Sequence, residues 1–325
     1  MKIRNIISFL LPAALVLLPS CDKAFELKLP LAVDSHRLKL SQEEGSTHIL
    51  VYADGAWTAS LDRELSWASL DRTSGEGNLE VVFSYGENLG IARQALLILT
   101  KDSLRDTVRL IQSGPVTAPS YRFASAVNYI AVGGGRASFP VSGNLEHSTD
   151  AIRVAAVFED GGVRDTVALN KAETDNGHWI TAAEPLADRL VLTLDYNVTK
   201  AERSAAILVT IDDPTGRTMK SVMTLVQTAD KPALQLESVS GTYGKDAQAV
   251  LVRSLENNIY AYEDDTIITS GEDWISDIRL TKDGLAFSLD ENAAGEMRSS
   301  VISLTYIDDF AAIVKATLTV VQKAE

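Results

Sequence analysis

Short apolar runs separated by turn residues recur along this chain, and beyond residue 20 no long segment repeats at the helical period. Residues 79–85 (LEVVFSY) and 190–194 (LVLTL) are rich in β-formers and bounded by turn residues, the pattern of strands. Asp212-Asp213-Pro214-Thr215-Gly216 lies between two such runs and predicts a hairpin turn. Residues 102–106 and Asp308-Asp309 are its counterparts. Many short strands with regular turns predict an all-β protein of antiparallel, immunoglobulin-like sandwiches.

The pattern repeats three times. Three strands close on glutamine: residues 108–112, 223–227 and 318–322, ending at Gln112, Gln227 and Gln322. An arginine opens the preceding run in each unit: Arg93, Arg203 and Arg298. Ahead of it stands an asparagine (Asn88, Asn197, Asn292), and further back a tryptophan (Trp67, Trp179, Trp274). The Trp-to-Asn, Asn-to-Arg and Arg-to-Gln spacings are 18, 6 and 24 in units two and three, and 21, 5 and 19 in unit one. Four markers in constant order define three tandem domains, at 34–114, 120–228 and 233–325. Proline-containing joins, 113–120 and 229–232, separate them.

The amino terminus has a different character. Lys2 and Arg4 precede an apolar stretch, residues 6–18, which Pro12 interrupts and which is too short to span a membrane. This is the form of a secretory signal over residues 1–20. Leu18-Pro19-Ser20-Cys21 resembles a bacterial lipoprotein signal box, with Pro19 departing from the usual residue. The resemblance implies lipidation of Cys21, followed by a polar tether to residue 33. Because Cys21 is the only cysteine, an internal disulfide is excluded.

Composition narrows the function. Hydrophobic residues at 46% and charged residues at 23% describe a core-forming chain. A net charge of −14 argues against nucleic acid as a partner, since phosphate binding needs concentrated Lys and Arg. His36, His48, His147 and His178 form no triad-like or metal-ligand pattern, so no metal and no cofactor are expected. Gly133-Gly134-Gly135-Arg136 lacks the Lys-Ser/Thr of a phosphate-binding loop and reads as a turn before a strand. The acidic pairs lack calcium-loop spacing.

A tryptophan, an N-x(4,5)-R step and a glutamine-ended strand, repeated in tandem, resemble the BACON domain of Bacteroidetes. Unit one adds Trp57-Thr58-Ala59-Ser60 ahead of Ser66-Trp67-Ala68, and Thr73-Ser74-Gly75-Glu76-Gly77, similar to the family's W…W…SG-x-G signature. Units two and three lack the first tryptophan and that turn, and unit two has an insertion around residues 159–178. The resemblance implies a non-catalytic outer-membrane lipoprotein, exposed at the cell surface, with a periplasm-facing one as the alternative. It also implies a dietary or mucin glycan as ligand, or surface proteins of a glycan-utilisation system as partners. The membrane is met through the lipid anchor only. A spacer or adhesion protein that binds no glycan is the alternative.

Sugar binding needs aromatic faces for C–H surfaces and nearby polar groups for hydroxyls. The tryptophans recur at one position in every unit, which favours a core role. Tyr85, Tyr129, Tyr243, Tyr260 and Tyr262 are the candidate platform residues. Tyr260 and Tyr262 are expected on one side of a strand end beside Glu263-Asp264-Asp265, where a half-buried strand with a solvated turn is the plainer reading. Each asparagine is expected to bond its own turn, each arginine to brace an acidic loop, and each glutamine to satisfy edge backbone groups.

Overall fold

The computed structural model describes residues 29–170, 177–308 and 311–324. Residues 1–28, with the expected signal, Cys21 and most of the expected tether, lie outside them. The described chain is β throughout except for one 3-10 turn, Thr149–Ala151. Its strands form six sheets, two per unit.

Unit one comprises β1 (Leu31–Val33), β2 (Arg37–Leu40), β3 (Gly45–Ala53), β4 (Ala56–Leu61), β5 (Ala68–Leu70), β6 (Ser74–Glu76), β7 (Leu79–Tyr85), β8 (Arg93–Lys101) and β9 (Leu104–Gln112). One sheet has the order β1-β3-β7-β5 and the other β2-β9-β8-β4-β6. The period-two pattern sets the core: Ile49, Val51, Val81 and Phe83 on the first sheet are buried with Ala95, Leu97, Leu99, Val108 and Leu110 on the second. Units two and three repeat this plan, and the arginine-led and glutamine-ended strands pair as hairpins in all three.

Two expectations change. The first sandwich begins at Leu31, ahead of residue 34, because β1 pairs with β3. The sheets are also not wholly antiparallel. The opening strand of each unit is split, one half joining each sheet, and its second half enters alongside the final strand in the same direction. Hence β2 runs parallel to β9, Val127–Ile130 to Lys220–Gln227, and Ser240–Tyr243 to Ile313–Gln322. The insertion in unit two supplies Val163–Ala168, an added strand on Ile152–Asp160.

Candidate functional site

The four recurrent markers meet in one bonded knot in every unit. Arg93, Arg203 and Arg298 lie opposite Gln112, Gln227 and Gln322 across the final hairpin, and each Nε donates to the glutamine Oε1 at 2.8, 2.9 and 2.8 Å. Each guanidinium also covers a tryptophan ring, 4.2 Å over Trp67, 4.8 Å over Trp179 and 4.4 Å over Trp274. Burial lowers the pKa of Arg93 and Arg203. Each arginine braces the loop ahead of it through backbone carbonyls: Arg93 donates to Gly86 O and Glu87 O, Arg203 to Asp195 O and Arg298 to Asp290 O.

The glutamines are fully buried and are not edge residues. Each Nε2 donates to the same carbonyl as its arginine, at 2.9, 3.1 and 2.9 Å, and to a second loop carbonyl. Each asparagine accepts from the backbone two residues on, as a turn asparagine does, and its Nδ2 also donates to the carbonyl just after the glutamine. The buried asparagine and glutamine side chains of the knot thus find their partners inside the protein, which is the requirement for burying them. The bonds that the markers make with one another and with loop carbonyls give them a bracing role in every unit.

Trp57 is buried in unit one, opposite Gly75, and its Nε1 donates to Gly77 O at 2.9 Å. A Cβ at Gly75 would stand 2.3 Å from the indole. The tryptophan and the SG-x-G turn therefore require each other, and units two and three lack both together.

The five candidate tyrosines have different fates. Tyr85 lies half-buried beside Phe83, and Tyr243 is half-buried edge-to-face on Phe287. Tyr129 is 52% exposed. Tyr260 and Tyr262 are 7% and 0% exposed, and they stand in a turn ahead of Thr266–Ser270, not at a strand end. They are not a surface platform. The reason is tertiary: the turn inserts into unit two, whose core takes in Ile259, Tyr260, Ala261, Tyr262 and Tyr306. Tyr260 Oη donates to Asn128 Oδ1 at 3.1 Å and Tyr262 Oη to Gly133 O at 2.8 Å. Ser138 N donates to Ala261 O at 2.6 Å. Burial raises the pKa of both tyrosines.

Beside this plug lies a cleft of about 630 Å³ between units two and three. Phe123, Phe139 and Leu280 supply apolar surface, and Arg189, Glu263 and Arg279 charge. Arg189 Nη1 pairs with Glu263 Oε2 across the junction at 3.1 Å, and Lys282 Nζ donates to Ser125 Oγ and Val127 O at 2.8 and 2.7 Å. Arg279 is exposed. An inter-domain recess with apolar walls and a few convergent polar groups is the usual form of a ligand site. Of the cleft residues only Tyr260 and Glu263 stand out in the sequence, because the others come from segments far apart in the chain. The only signal was a pair of tyrosines that units one and two lack.

His36, His48 and His178 pair with Asp106, Glu80 and Asp165 at 2.9, 3.0 and 2.9 Å. Among the described residues no group of three or more His, Cys, Asp or Glu is placed to hold a metal ion.

No family model matches this chain, and no curated protein matches it. Among solved structures, a three-domain I-band fragment of titin aligns over 91% of this chain and 100% of its own, at 9% identity and a TM-score of 0.23. Mouse cadherin-23 EC22–24 aligns over 89% and 95%, at 9% and 0.23. A Bacteroides ovatus GH5 xyloglucanase aligns over 32% of this chain and 26% of its own, at 16% and 0.24. The chain thus spans about a quarter of the xyloglucanase. The assignment as tandem immunoglobulin-like sandwiches rests on the strand pairing described above.

Proposed function

We propose that this chain is a non-catalytic, BACON-like lipoprotein of the outer membrane, displayed at the cell surface through acylated Cys21, that binds a carbohydrate in the cleft between units two and three. The cleft carries the reading: half-buried Phe123 offers a ring to a sugar C–H face, while Arg279, Asp283 and the Arg189–Glu263 pair offer donors and acceptors to hydroxyls. The sequence features that support it are the signal box and the tandem domains. Detergent-solubilised full chain on a glycan array, followed by calorimetry on the glycans retained, tests it. Arg279→Ala, an exposed change, is expected to weaken binding at least tenfold. No retention on any host or dietary glycan would overturn the reading. Cys21→Ala is expected to release the protein from the membrane fraction and abolish labelling with radioactive palmitate.

A spacer is the second reading, favoured by the buried junction, which holds units two and three against each other. It expects no glycan affinity, and surface proteins recovered by cross-linking.

A further inference from the structure

In each unit the arginine-led strand has a second neighbour near the rim of its sheet. In unit one that neighbour is β4, which β6 covers. In unit two it is Ile152–Asp160, covered by Val163–Ala168. In unit three it is Thr266–Ser270, which pairs with Arg298–Ile307 and has no strand on its other side among the described residues. The outward row of peptide groups on such a strand lacks a ladder partner.

The other rims of the six sheets are blunted. Those at β1, β5, β6, Tyr121–Phe123 and Leu234–Leu236 are three residues long, and those at β2, Val127–Ile130 and Ser240–Tyr243 four. Val163–Ala168 carries Arg164 and Asp165. Ile180–Pro185 and Ile275–Thr281 are interrupted by register shifts. Short, charged or bulged edges are defences against strand addition. Thr266–Ser270 (TIITS) has five residues in regular register, no charge and no proline, and Ile267 is 62% exposed. Among the described residues, unit three alone keeps an undefended rim.

We propose that this rim accepts an extended segment of a partner protein as an added antiparallel strand. Acidic residues bracket it, Glu263-Asp264-Asp265 before and Glu272-Asp273 after. Glu263 and Asp264 are engaged by Arg189 and Arg136, whereas Glu272 and Asp273 are exposed and have no cation beside them among the described residues. The matching segment alternates β-branched residues and carries Lys or Arg at its amino-terminal flank, which antiparallel pairing brings to Glu272 and Asp273. A second copy of this chain fits poorly. Antiparallel self-pairing would set Glu272-Asp273 of one copy against the 263–265 acids of the other. This docking is independent of the cleft.

The test titrates detergent-solubilised full chain into a fluorescein-labelled peptide of alternating threonine and valine, flanked by lysines, with anisotropy as the readout. Saturable binding is expected. N-methylation of alternate peptide nitrogens removes backbone donors and keeps the side chains, and is expected to weaken binding at least tenfold. Exchanging the flanking lysines for glutamate is expected to weaken it several-fold. Ile267→Lys alters an exposed side chain on the rim and is expected to weaken binding at least tenfold with an unchanged thermal melt. Absence of saturable binding, equal binding of the N-methylated peptide, or undiminished binding to Ile267→Lys would overturn the proposal. So would a dimer of the full chain, seen by sedimentation equilibrium, that Ile267→Lys dissolves.

Discussion

Gln227 and Tyr262, from neighbouring units, donate to one acceptor: the Gly133 carbonyl oxygen receives Gln227 Nε2 at 2.6 Å and Tyr262 Oη at 2.8 Å. A carbonyl has two lone pairs, and here one closes the brace inside unit two while the other holds unit three. Packing at this point is close, since a Cβ on Gly133 would stand 3.0 Å from Tyr306 Oη. The junction is thus continuous with the internal knot of unit two.

Tyr262→Phe removes a buried hydroxyl and leaves the Gly133 carbonyl with one donor. A loss of about 1–2 kcal/mol in unfolding free energy is expected, measured by urea denaturation. Tyr262→Ala should cost about 3–5 kcal/mol, because it also empties the space the ring fills.

Alkaline pH should loosen the same junction. Burial raises the folded-state pKa of Tyr260 and Tyr262 above the ordinary value of about 10, so the unfolded chain loses these protons first. Their contribution is complete below about pH 10 and declines as pH rises toward the folded values. Melting temperatures of wild type and Tyr262→Phe from pH 8 to 11.5 check this. The gap between them is expected to shrink with pH.

Gln227→Leu leaves Arg203 Nε without its acceptor and removes a donor from three carbonyls. A cost of about 2–4 kcal/mol is expected, since each orphaned buried group contributes a desolvation penalty. Gln112→Leu and Gln322→Leu should cost similar amounts, because their bonding repeats the pattern. Chemical denaturation of the three variants compares them. A ligand role for one glutamine would show as a single mild variant.

Gly75→Ala drives a methyl group into the Trp57 ring and should cost about 1–3 kcal/mol. The double variant with Trp57→Phe should recover part of that loss, with a coupling energy of about 1 kcal/mol in a double-mutant cycle.

The repeat was legible because its markers bond one another. Arg203 and Gln227 sit on adjacent strands of one hairpin, so the fold preserves their spacing and the chain displays it. The split opening strand was not legible. Whether residues 37–40 pair parallel with 109–112 depends on which sheet captures each half, and strand-forming composition is silent on partner direction.

Tyr260 and Tyr262 mark the limit most clearly. Their alternation around Ala261 beside three acids is compatible with an exposed strand end. Only the approach of unit three to Asn128 and Gly133 of unit two turns those rings inward, and the same approach forms the cleft of Arg189, Glu263 and Phe123. The sequence by itself determined what is local and periodic: strands, turns, three tandem units and the four markers of each. Tertiary structure alone decided what lies between units and at their rims. Contacts between units join residues far apart in the chain, 74 positions for Arg189 and Glu263 and 132 for Tyr260 and Asn128, and no period links such residues.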